Sequence, residues 1–303
     1  MQVEPVVDVK GVRKKFGHLV AVDDVTFNVH KGEIFGLLGP NGAGKTTIIR
    51  LILDIFKPDV GEIAVLGGEM IEPKLRQIGY MPEERGLYQD IDLEKCLVYL
   101  AVLKGVPRKD ARTRVAAYLD RFDLSDYSRR AVKELSKGMQ QKAQIIATLV
   151  HEPQLVIVDE PFSGLDPVNT KMVKDILQDL RDKGTAIIMS THQLHQVEEL
   201  CDRILLIDHG HVLLHGEMDS VRSQYAGNSI YIRTLEPLPL LDGVVKIEPH
   251  NAAQRLTLST NCKPKEILDQ LLEDGIHIEW FEIAVPTLDE IFIQVVQEPG
   301  AIT

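Results

Sequence analysis

The sequence predicts an α/β fold around a parallel β-sheet, followed by a second, smaller α/β domain. Apolar runs at 34–38, 155–158, 186–189 and 204–207 have the length and composition of buried strands. Stretches rich in helix-forming residues separate these runs, and strands that alternate with helices build parallel sheets. A glycine-rich loop follows the first run, and such loops are typical of phosphate-binding sites at the carboxyl ends of strands.

The composition is that of a globular protein of about two domains. The chain has 303 residues, 44% hydrophobic and 26% charged, and domains usually have about 100–200 residues. The formal net charge of −11 argues against a dedicated DNA-binding protein, which usually presents a basic face. The cysteines Cys96, Cys201 and Cys262 have no disulfide or zinc spacing, which fits a reducing cytoplasm. No apolar run reaches the roughly 18 residues that span a bilayer, so we expect another chain to cross any membrane involved.

The glycine-rich loop at 39–47 matches the phosphate-binding pattern G-x-x-x-x-G-K-S/T. It lies between the predicted strand at 34–38 and a predicted helix at 46–53, whose N-terminus favours anions. Glycines let successive backbone N–H groups point at phosphate oxygens, while Lys45 adds positive charge and Thr46 offers a hydroxyl to Mg²⁺. A chance glycine-rich turn is the alternative, and the flanking strand and helix argue against it. The loop residues are Gly39, Pro40, Asn41, Gly42, Ala43, Gly44, Lys45, Thr46 and Thr47.

Two carboxylates follow the apolar strand at 155–158. Asp159 and Glu160 stand at its carboxyl end, the edge at which α/β sheets bind ligands. We expect Asp159 to hold magnesium through water and Glu160 to act as general base toward an attacking water. A strand that ends in a solvated acidic turn is the alternative, and the phosphate-binding pattern earlier in the chain makes it the weaker one.

Three further segments carry polar residues around these carboxylates in the sequence. The sequence LSKGMQQK at 135–142 indicates a helix start with Ser136 as N-cap. The sequence SGLD at 163–166 follows Glu160, and His192 follows the predicted strand at 186–189. A lone histidine at such a place is more often structural than catalytic.

With these motifs in this order, residues 5–220 resemble the ATP-binding subunits of ABC transporters. The matching segments are Phe16 (adenine-stacking aromatic), 39–47 (Walker A), 135–140 (ABC signature), 155–160 (Walker B), 163–166 (D-loop) and His192 (switch histidine). The resemblance implies an ABC-type P-loop NTPase fold with a mixed sheet core, an N-terminal antiparallel sheet and a helical subdomain at about 87–150. It also implies that Asp166 communicates across a subunit interface.

The resemblance implies a homodimer of ATP-binding subunits paired head to tail, with ATP and Mg²⁺ as ligands. Each ATP then lies between Lys45 of one subunit and Ser136 and Gly138 of the other. Glu160 would polarise water, and His192 would position the γ-phosphate and that water. ATP binding closes the pair, and hydrolysis reopens it.

Two departures from the family pattern bear on the predicted site. Lys137 and Met139 stand where the signature usually has glycine and glutamine. The added positive charge of Lys137 is compatible with phosphate, whereas Met139 lacks the amide of the usual residue. Glu83 stands where the family has a glutamine, and its carboxylate either approaches magnesium or faces solvent.

The segments at 78–88 (IGYMPEERGLY) and 286–292 (PTLDEIF) indicate a subclass. They look like the ATPases of type 2 exporters, such as sodium-efflux and drug-efflux members, whose permease is often a separate chain. From the residues alone, Thr287 and Glu290 form a capping-box pattern at the start of a last helix. We expect Leu288, Ile291, Phe292 and Val295 to form the apolar stripe of that helix.

The chain divides, in our prediction, into an ABC domain at 1–224 and a small acidic α/β domain at 225–303. A linker pattern lies around 224–228, and the second part carries 12 acidic and five basic residues. Residues 229–234 and 275–283 are predicted strands, and 264–273 is a predicted helix. We expect this domain to support dimerisation or regulation.

The sequence thus predicts an ATP-hydrolysing exporter subunit that acts through a separate multi-span permease. It would be cytoplasmic and peripheral at the inner face of the membrane, without nucleic acid as a partner. The alternatives are a non-transport ABC ATPase acting on ribosomes or DNA, and a regulatory module that binds ATP with little turnover. The single cassette and the short interval between Walker motifs argue against the first. The transported substrate and the identity of the permease are not encoded in these motifs.

Overall fold

The computed structural model describes residues 4–84, 86–225, 228–259 and 261–297. The chain forms two compact units, Met1–Glu217 and Met218–Thr303, which are described separately. The boundary between the units precedes the one predicted after 224, because the segment from Met218 forms a helix that belongs to the second unit. Ala226 and Gly227 of the predicted linker, and Arg85 of the predicted loop at 78–88, lie outside the described residues.

The first unit has nine strands and seven helices among its described residues. Its strands are β1 (Val7–Phe16), β2 (Leu19–Val29), β3 (Ile34–Leu38), β4 (Val60–Val65), β5 (Ile78–Met81), β6 (Leu155–Asp159), β7 (Ala186–Thr191), β8 (Arg203–Asp208) and β9 (His211–Glu217). Its helices are α1 (Lys45–Ile52), α2 (Glu72–Leu75), α3 (Leu93–Leu103), α4 (Arg108–Arg121), α5 (Lys137–Leu149), α6 (Pro167–Asp182) and α7 (Leu194–Leu200).

A six-stranded mixed sheet forms the core, with the strand order β5-β6-β7-β3-β8-β9. The first five strands are parallel, and β9 pairs antiparallel with β8. All residues of β3, β6 and β7 are buried, which is why these strands are apolar runs without alternation. In this register Leu38 lies opposite Thr191, and Asp159 lies opposite Ser190. The segments that follow β3, β6 and β7 therefore meet at one edge of the sheet.

An antiparallel sheet of β2, β1 and β4 forms the N-terminal layer. Helix α1 joins the two sheets in one core, since Ile48, Ile49 and Ile52 are at most 1% exposed and pack with residues from both. The predicted helical subdomain contains α3, α4 and α5, and its residues Val115, Leu119 and Phe122 are buried. The predicted fold class is confirmed, with a mixed sheet, an antiparallel sheet and a helical region.

A buried histidine after α5 makes stability depend on pH. His151 contacts the carbonyl of Ile78 through Nε2 at 3.2 Å, and the Lys104 ammonium donates to the same carbonyl. Burial, with the charge of Lys104 second, lowers the pKa of His151 to about 4 from 6.5. The unfolded chain therefore binds a proton that the folded chain excludes as the pH falls below 6.5.

We expect His151→Gln to remove this pH dependence. The neutral histidine contributes its full stability above pH 6.5, and that contribution falls by roughly 3 kcal/mol as the pH decreases toward 4. Denaturant unfolding at pH 7 and pH 4.5 measures the difference between wild type and variant. Equal losses of stability in the two proteins would contradict this assignment.

The described residues of the second unit form a four-stranded antiparallel sheet with three helices. Its elements are α8 (Met218–Gln224), β10 (Ser229–Thr234), β11 (Val244–His250), β12 (Ala253–Leu258), α9 (Pro264–Glu273), β13 (Ile278–Ile283) and α10 (Leu288–Gln297). The strand order is β11-β12-β10-β13. Helix α9 buries Ile267 and Leu271 completely, but Leu272 is 60% exposed. Leu272 follows Leu271 by one residue, which is a rotation of about 100° around the helix and turns its side chain toward solvent.

Helix α10 begins with the predicted capping box. The backbone N–H of Thr287 donates to Glu290 Oε2 at 2.9 Å, and the N–H of Glu290 donates to Thr287 Oγ1 at 3.2 Å. Leu288, Ile291 and Val295 are at most 5% exposed, so most of the predicted apolar stripe is buried. Within the described residues, no helix of the protein has the length and hydropathy needed to cross a membrane.

Candidate nucleotide-binding site

A cavity of about 550 Å³ lies at the edge of the core sheet where β3 and β6 end. It is bounded by the turn between β1 and β2, the glycine-rich loop, the end of β6 and the turn between β8 and β9. The lining residues are Phe16, Leu19, Val20, Ala21, Asn41, Gly42, Gly44, Lys45, Thr46, Thr47, Glu83, Asp159, Glu160, His209 and Gly210. The cavity thus brings together one apolar end and one strongly charged end.

Glycine is required where the loop passes close to neighbouring strands. Gly39 has φ +148°, and a Cβ there would lie 2.1 Å from the carbonyl oxygen of Ile207. Gly44 has φ +116°, and a Cβ there would lie 2.5 Å from the carbonyl oxygen of Ala21. Any larger residue would displace β8 or β2, so these glycines set the path of the loop into α1.

Lys45 is held at the back of the loop next to two carboxylates. Its ammonium donates to the carbonyls of Gly39 at 2.6 Å and Pro40 at 3.0 Å, and the residue is 8% exposed. Burial lowers the pKa of Lys45, while the charges of Glu160 and Asp159 act in the opposite direction. Gly39, Pro40 and Ala43 shape the loop without lining the cavity.

Asp159 is a carboxylate poor in polar partners. It is 4% exposed, and burial raises its pKa, with the charges of Glu160 and Glu83 adding to the shift. A hydroxyl contact from Ser190 and the charge of Lys45 oppose the shift. A cation beside Asp159 would offset the cost of burying the charged carboxylate, because it would stabilise the charged form.

The donor set at Asp159 fits magnesium. Asp159 and the Thr46 hydroxyl both line the cavity, and oxygen donors are the ligands that Mg²⁺ takes in phosphate sites. Within the described ranges, no group of three or more His, Cys, Asp or Glu residues could hold a metal ion. Such a sparse set matches Mg²⁺, which usually uses one or two carboxylates together with substrate phosphates.

The backbone N–H, the backbone carbonyl and both carboxylate oxygens of Glu160 each form a hydrogen bond. Its backbone has φ +52°, a conformation that costs a non-glycine residue free energy and persists only when neighbours hold it. Its N–H donates to the Ser190 carbonyl at 2.8 Å, and its own carbonyl accepts from Gln141 Nε2 at 3.4 Å. One carboxylate oxygen, Oε2, accepts from Thr191 Oγ1 at 3.0 Å, and the other, Oε1, accepts from the N–H of His192 at 2.9 Å.

His192 contacts the same carboxylate through its ring. Its Nδ1 lies 2.6 Å from Glu160 Oε1, and a carboxylate only accepts, so this ring nitrogen carries the proton. The His192 side chain is 57% exposed, whereas the Glu160 side chain is 8% exposed. The buried carboxylate and the exposed imidazole therefore form one unit beside the cavity.

The apolar end of the cavity is formed around Phe16. Its ring packs edge-on against Phe56 with 5.2 Å between centroids, and Lys14 Nζ lies 5.6 Å from the Phe16 centroid. His209 and Gly210 also line the cavity, and the sequence analysis did not place them there. The turn between β8 and β9 reaches the glycine-rich loop only through the sheet order, which no local pattern of these residues reveals.

The structure separates Ser136, Gly138 and Asp166 from the cavity. Ser136 caps α5, with Oγ accepting from the N–H of Met139 at 3.3 Å. Asp166 caps α6, with Oδ1 accepting from the N–H of Asn169 at 2.9 Å. A Cβ at Gly138 would lie 3.3 Å from the Gly164 carbonyl oxygen, so the two helix starts are neighbours. The predicted site residues thus form two groups in one chain.

Helix α5 is bonded to both loops that border the cavity. Gln141 Nε2 donates to the Pro161 carbonyl at 3.1 Å, and Gln144 Nε2 donates to the carbonyls of Pro82 at 2.8 Å and Glu84 at 3.3 Å. Both glutamines are at most 5% exposed. Glu83 itself is exposed and lines the cavity, so the segment after β5 joins the cavity edge to α5.

Known proteins resemble this chain in sequence and in fold. Residues 22–163 match the family model "ABC transporter", and residues 216–296 match "ATP-binding protein DrrA1-3-like, C-terminal domain". An uncharacterized ABC transporter ATP-binding protein of Alkalihalophilus pseudofirmus is 40% identical over 85% of this chain and 97% of its own length. Daunorubicin resistance ATP-binding protein DrrA3 of Streptomyces coeruleorubidus is 32% identical over 95% of this chain and 94% of its own. A solved ATP-binding subunit of an ABC transporter has a TM-score of 0.69 at 34% identity, covering 73% of this chain and 93% of that structure.

Proposed function

This chain belongs to the ABC transporter ATP-binding proteins, and we propose that it powers an exporter whose membrane permease is a separate chain. It is the ATPase subunit of a transporter. The observation that supports its chemistry is one cavity that joins the glycine-rich loop and Lys45 to the carboxylates Asp159 and Glu160. The exporter assignment rests on the second unit, which matches the C-terminal domain of DrrA-like proteins.

ATP fits the cavity in one direction. The triphosphate lies against the loop, where Lys45 and the start of α1 provide positive charge. The adenine lies at the opposite end, beside Phe16 and Leu19. Asp159 and Thr46 would hold Mg²⁺, which would neutralise phosphate charge when bound.

Glu160 carries the proton transfer of hydrolysis. Its carboxylate accepts a proton from a water molecule while the water oxygen bonds to the γ-phosphorus and the bond to the ADP oxygen breaks. Lys45 stabilises the charge that develops on the phosphate oxygens. His192 holds one oxygen of Glu160, and we assign its largely exposed ring to the γ-phosphate.

The complete site requires a second copy of the chain. Ser136 and Gly138 lie at the start of α5, outside the cavity of their own chain, and a helix start favours an anion. We assign them to the phosphates bound by the partner in a head-to-tail homodimer. Asp166, at the neighbouring helix start, borders the same interface.

The permease docks, in this proposal, on a groove of the helical region that has both charged and apolar lining residues. The groove has a volume of about 550 Å³, and Tyr88 packs edge-on against Tyr99 with 5.8 Å between centroids. Tyr88 follows Glu83 in the segment that borders the nucleotide cavity. That segment therefore links nucleotide occupancy to the groove. The groove is lined by Glu94, Lys95, Val98, Tyr99, Val102, Arg108 and Arg112.

The protein then works at the cytoplasmic face of the membrane through its permease. The cargo crosses within the permease, so the ATPase sequence does not select it. Daunorubicin resistance is the printed property of one relative, and for this chain we propose export without naming the cargo. No observation on this chain favours a ribosomal or DNA substrate.

Affinity isolation from detergent-solubilised native membranes, followed by mass spectrometry, tests this function. We expect a multi-span membrane protein to co-purify with the wild-type chain. Val102→Asp should lose that protein, because it places a charge in the groove at a residue that is 39% exposed. Val60→Asp is the matched control at a 59% exposed valine of β4 and should retain it. Recovery of ribosomal or DNA-associated proteins without a membrane protein would contradict the proposal.

A further inference from the structure

We propose that Thr191 is a positioning residue that fixes the orientation of the Glu160 carboxylate for catalysis. Thr191 is the last residue of β7 and is 0% exposed. Its Oγ1 donates to Glu160 Oε2 at 3.0 Å. Thr191 is absent from the residues that line the cavity.

The hydroxyl proton of Thr191 is donated to Glu160. Oγ1 accepts the backbone N–H of Gln193 at 3.1 Å, so its own proton is directed to Glu160 rather than to a backbone carbonyl. A threonine hydroxyl has a single proton. The buried position excludes solvent as a substitute donor. The Thr191 hydroxyl therefore donates to one oxygen of the Glu160 carboxylate.

The sheet makes this donor rigid. Thr191 pairs in register with Leu38 of β3, the residue before the glycine-rich loop. A β-branched side chain in a strand is restricted about χ1, so Oγ1 is fixed relative to the loop that binds the phosphates. The other oxygen of Glu160 accepts from the backbone N–H of His192 and contacts the ring of His192, which is largely exposed. Thr191 is thus the buried side-chain donor that keeps the Glu160 carboxylate oriented when the His192 imidazole moves.

The inference rests on the proposed role of Glu160 as general base. We expect positioning to affect the chemical step more than ground-state binding, because Thr191 is not among the residues that line the cavity. A displaced base loses rate steeply, up to about 100-fold for an error near 1 Å. The predicted signature of Thr191 is therefore a change in kcat with little change in KM for ATP.

The test compares Thr191→Val, Thr191→Ser and the wild-type full chain by steady-state Mg-ATPase assay. Thr191→Val keeps the shape and removes the donor, and its kcat should fall at least about tenfold with KM for ATP within about twofold. Thr191→Ser retains a hydroxyl and should recover kcat to within about threefold of wild type. Thr148→Val is the matched control, since Thr148 is also buried but its Oγ1 donates to the Gln144 carbonyl of its own helix.

The outcomes separate this inference from the proposed function. Equal kcat for wild type and Thr191→Val overturns the positioning role while the ATPase assignment stands. A decrease in kcat for Thr191→Ser as large as that for Thr191→Val also overturns the positioning role, because serine retains the hydroxyl. If Thr191→Val loses ATP affinity together with kcat, Thr191 acts on the fold of the site and the inference is wrong. A wild-type chain without ATPase activity, alone or with its permease, would overturn both.

Discussion

Glu160→Gln is expected to reduce ATP turnover by about 10²–10⁴-fold, the usual contribution of a general base. The amide keeps the size of the side chain and one acceptor oxygen, but it cannot take a proton from water. The affinity for ATP should stay within about twofold, because Glu160 acts on the water rather than on the phosphates. The variant should also accumulate as an ATP-bound dimer, since the pair closes and hydrolysis stalls.

Single-turnover ATPase assays and light scattering with ATP measure these effects. Glu62→Gln is the matched control, because Glu62 is an exposed residue of β4. It should leave turnover and mass unchanged. A Glu160→Gln protein that hydrolyses ATP at the wild-type rate would exclude Glu160 as the base. In that case the regulatory alternative, which binds ATP with little turnover, would not be supported either.

Lys45→Ala is expected to weaken ATP binding by at least about 30-fold. Removing one partner of a buried charged contact costs about 2–5 kcal/mol, and 1.4 kcal/mol is tenfold in affinity. The loss is larger than that of a neutral contact because Asp159 and Glu160 then face the phosphates without compensation.

Isothermal titration with ATP and Mg²⁺ measures this loss. Lys57→Ala is the control, because that lysine is 77% exposed and pairs with Asp54 on the surface. Exposed pairs contribute little, so its affinity should equal that of wild type. Near wild-type affinity in Lys45→Ala would show that the phosphates bind elsewhere.

The core of the fold could be predicted because its signals are local. The predicted strand at 34–38 coincides with β3. The predicted helix at 46–53 differs from α1 by one residue at each end, and the predicted strand at 155–158 is one residue shorter than β6. The two strands are fully buried, so their apolar runs are unambiguous. The parallel arrangement then places their carboxyl ends together, which is why Lys45, Asp159 and Glu160 share one cavity.

The remaining parts depend on contacts that no local pattern encodes. Thr191 and Gln141 hold Glu160 because β7 and α5 lie beside it, and their residue types are common in strands and helices. His209 lies in the turn between β8 and β9, the last two strands in the sheet order, and this turn lines the cavity. The boundary of the second unit was predicted too late, because the short α8 has few apolar residues and is recognised only by its packing.

The central claim is that each ATP site is built from two chains, and mixing two inactive variants tests it directly. Lys45→Ala removes the positive charge from the phosphate-binding loop of its own chain and leaves Ser136 and Gly138 unchanged. Gly138→Asp leaves the loop intact and puts a negative charge at the start of α5, where a Cβ lies 3.3 Å from the Gly164 carbonyl oxygen and requires a small shift. Each variant alone should be inactive.

In the mixture, a heterodimer regains one complete site, formed by the loop of the Gly138→Asp chain and the helix start of the Lys45→Ala chain. With random pairing and independent sites, activity should approach about a quarter of the wild-type value. The ATPase assay of the mixture, run beside an active wild-type sample, therefore decides the point. A mixture as inactive as its two components would contradict the shared site, as would full activity of Gly138→Asp alone.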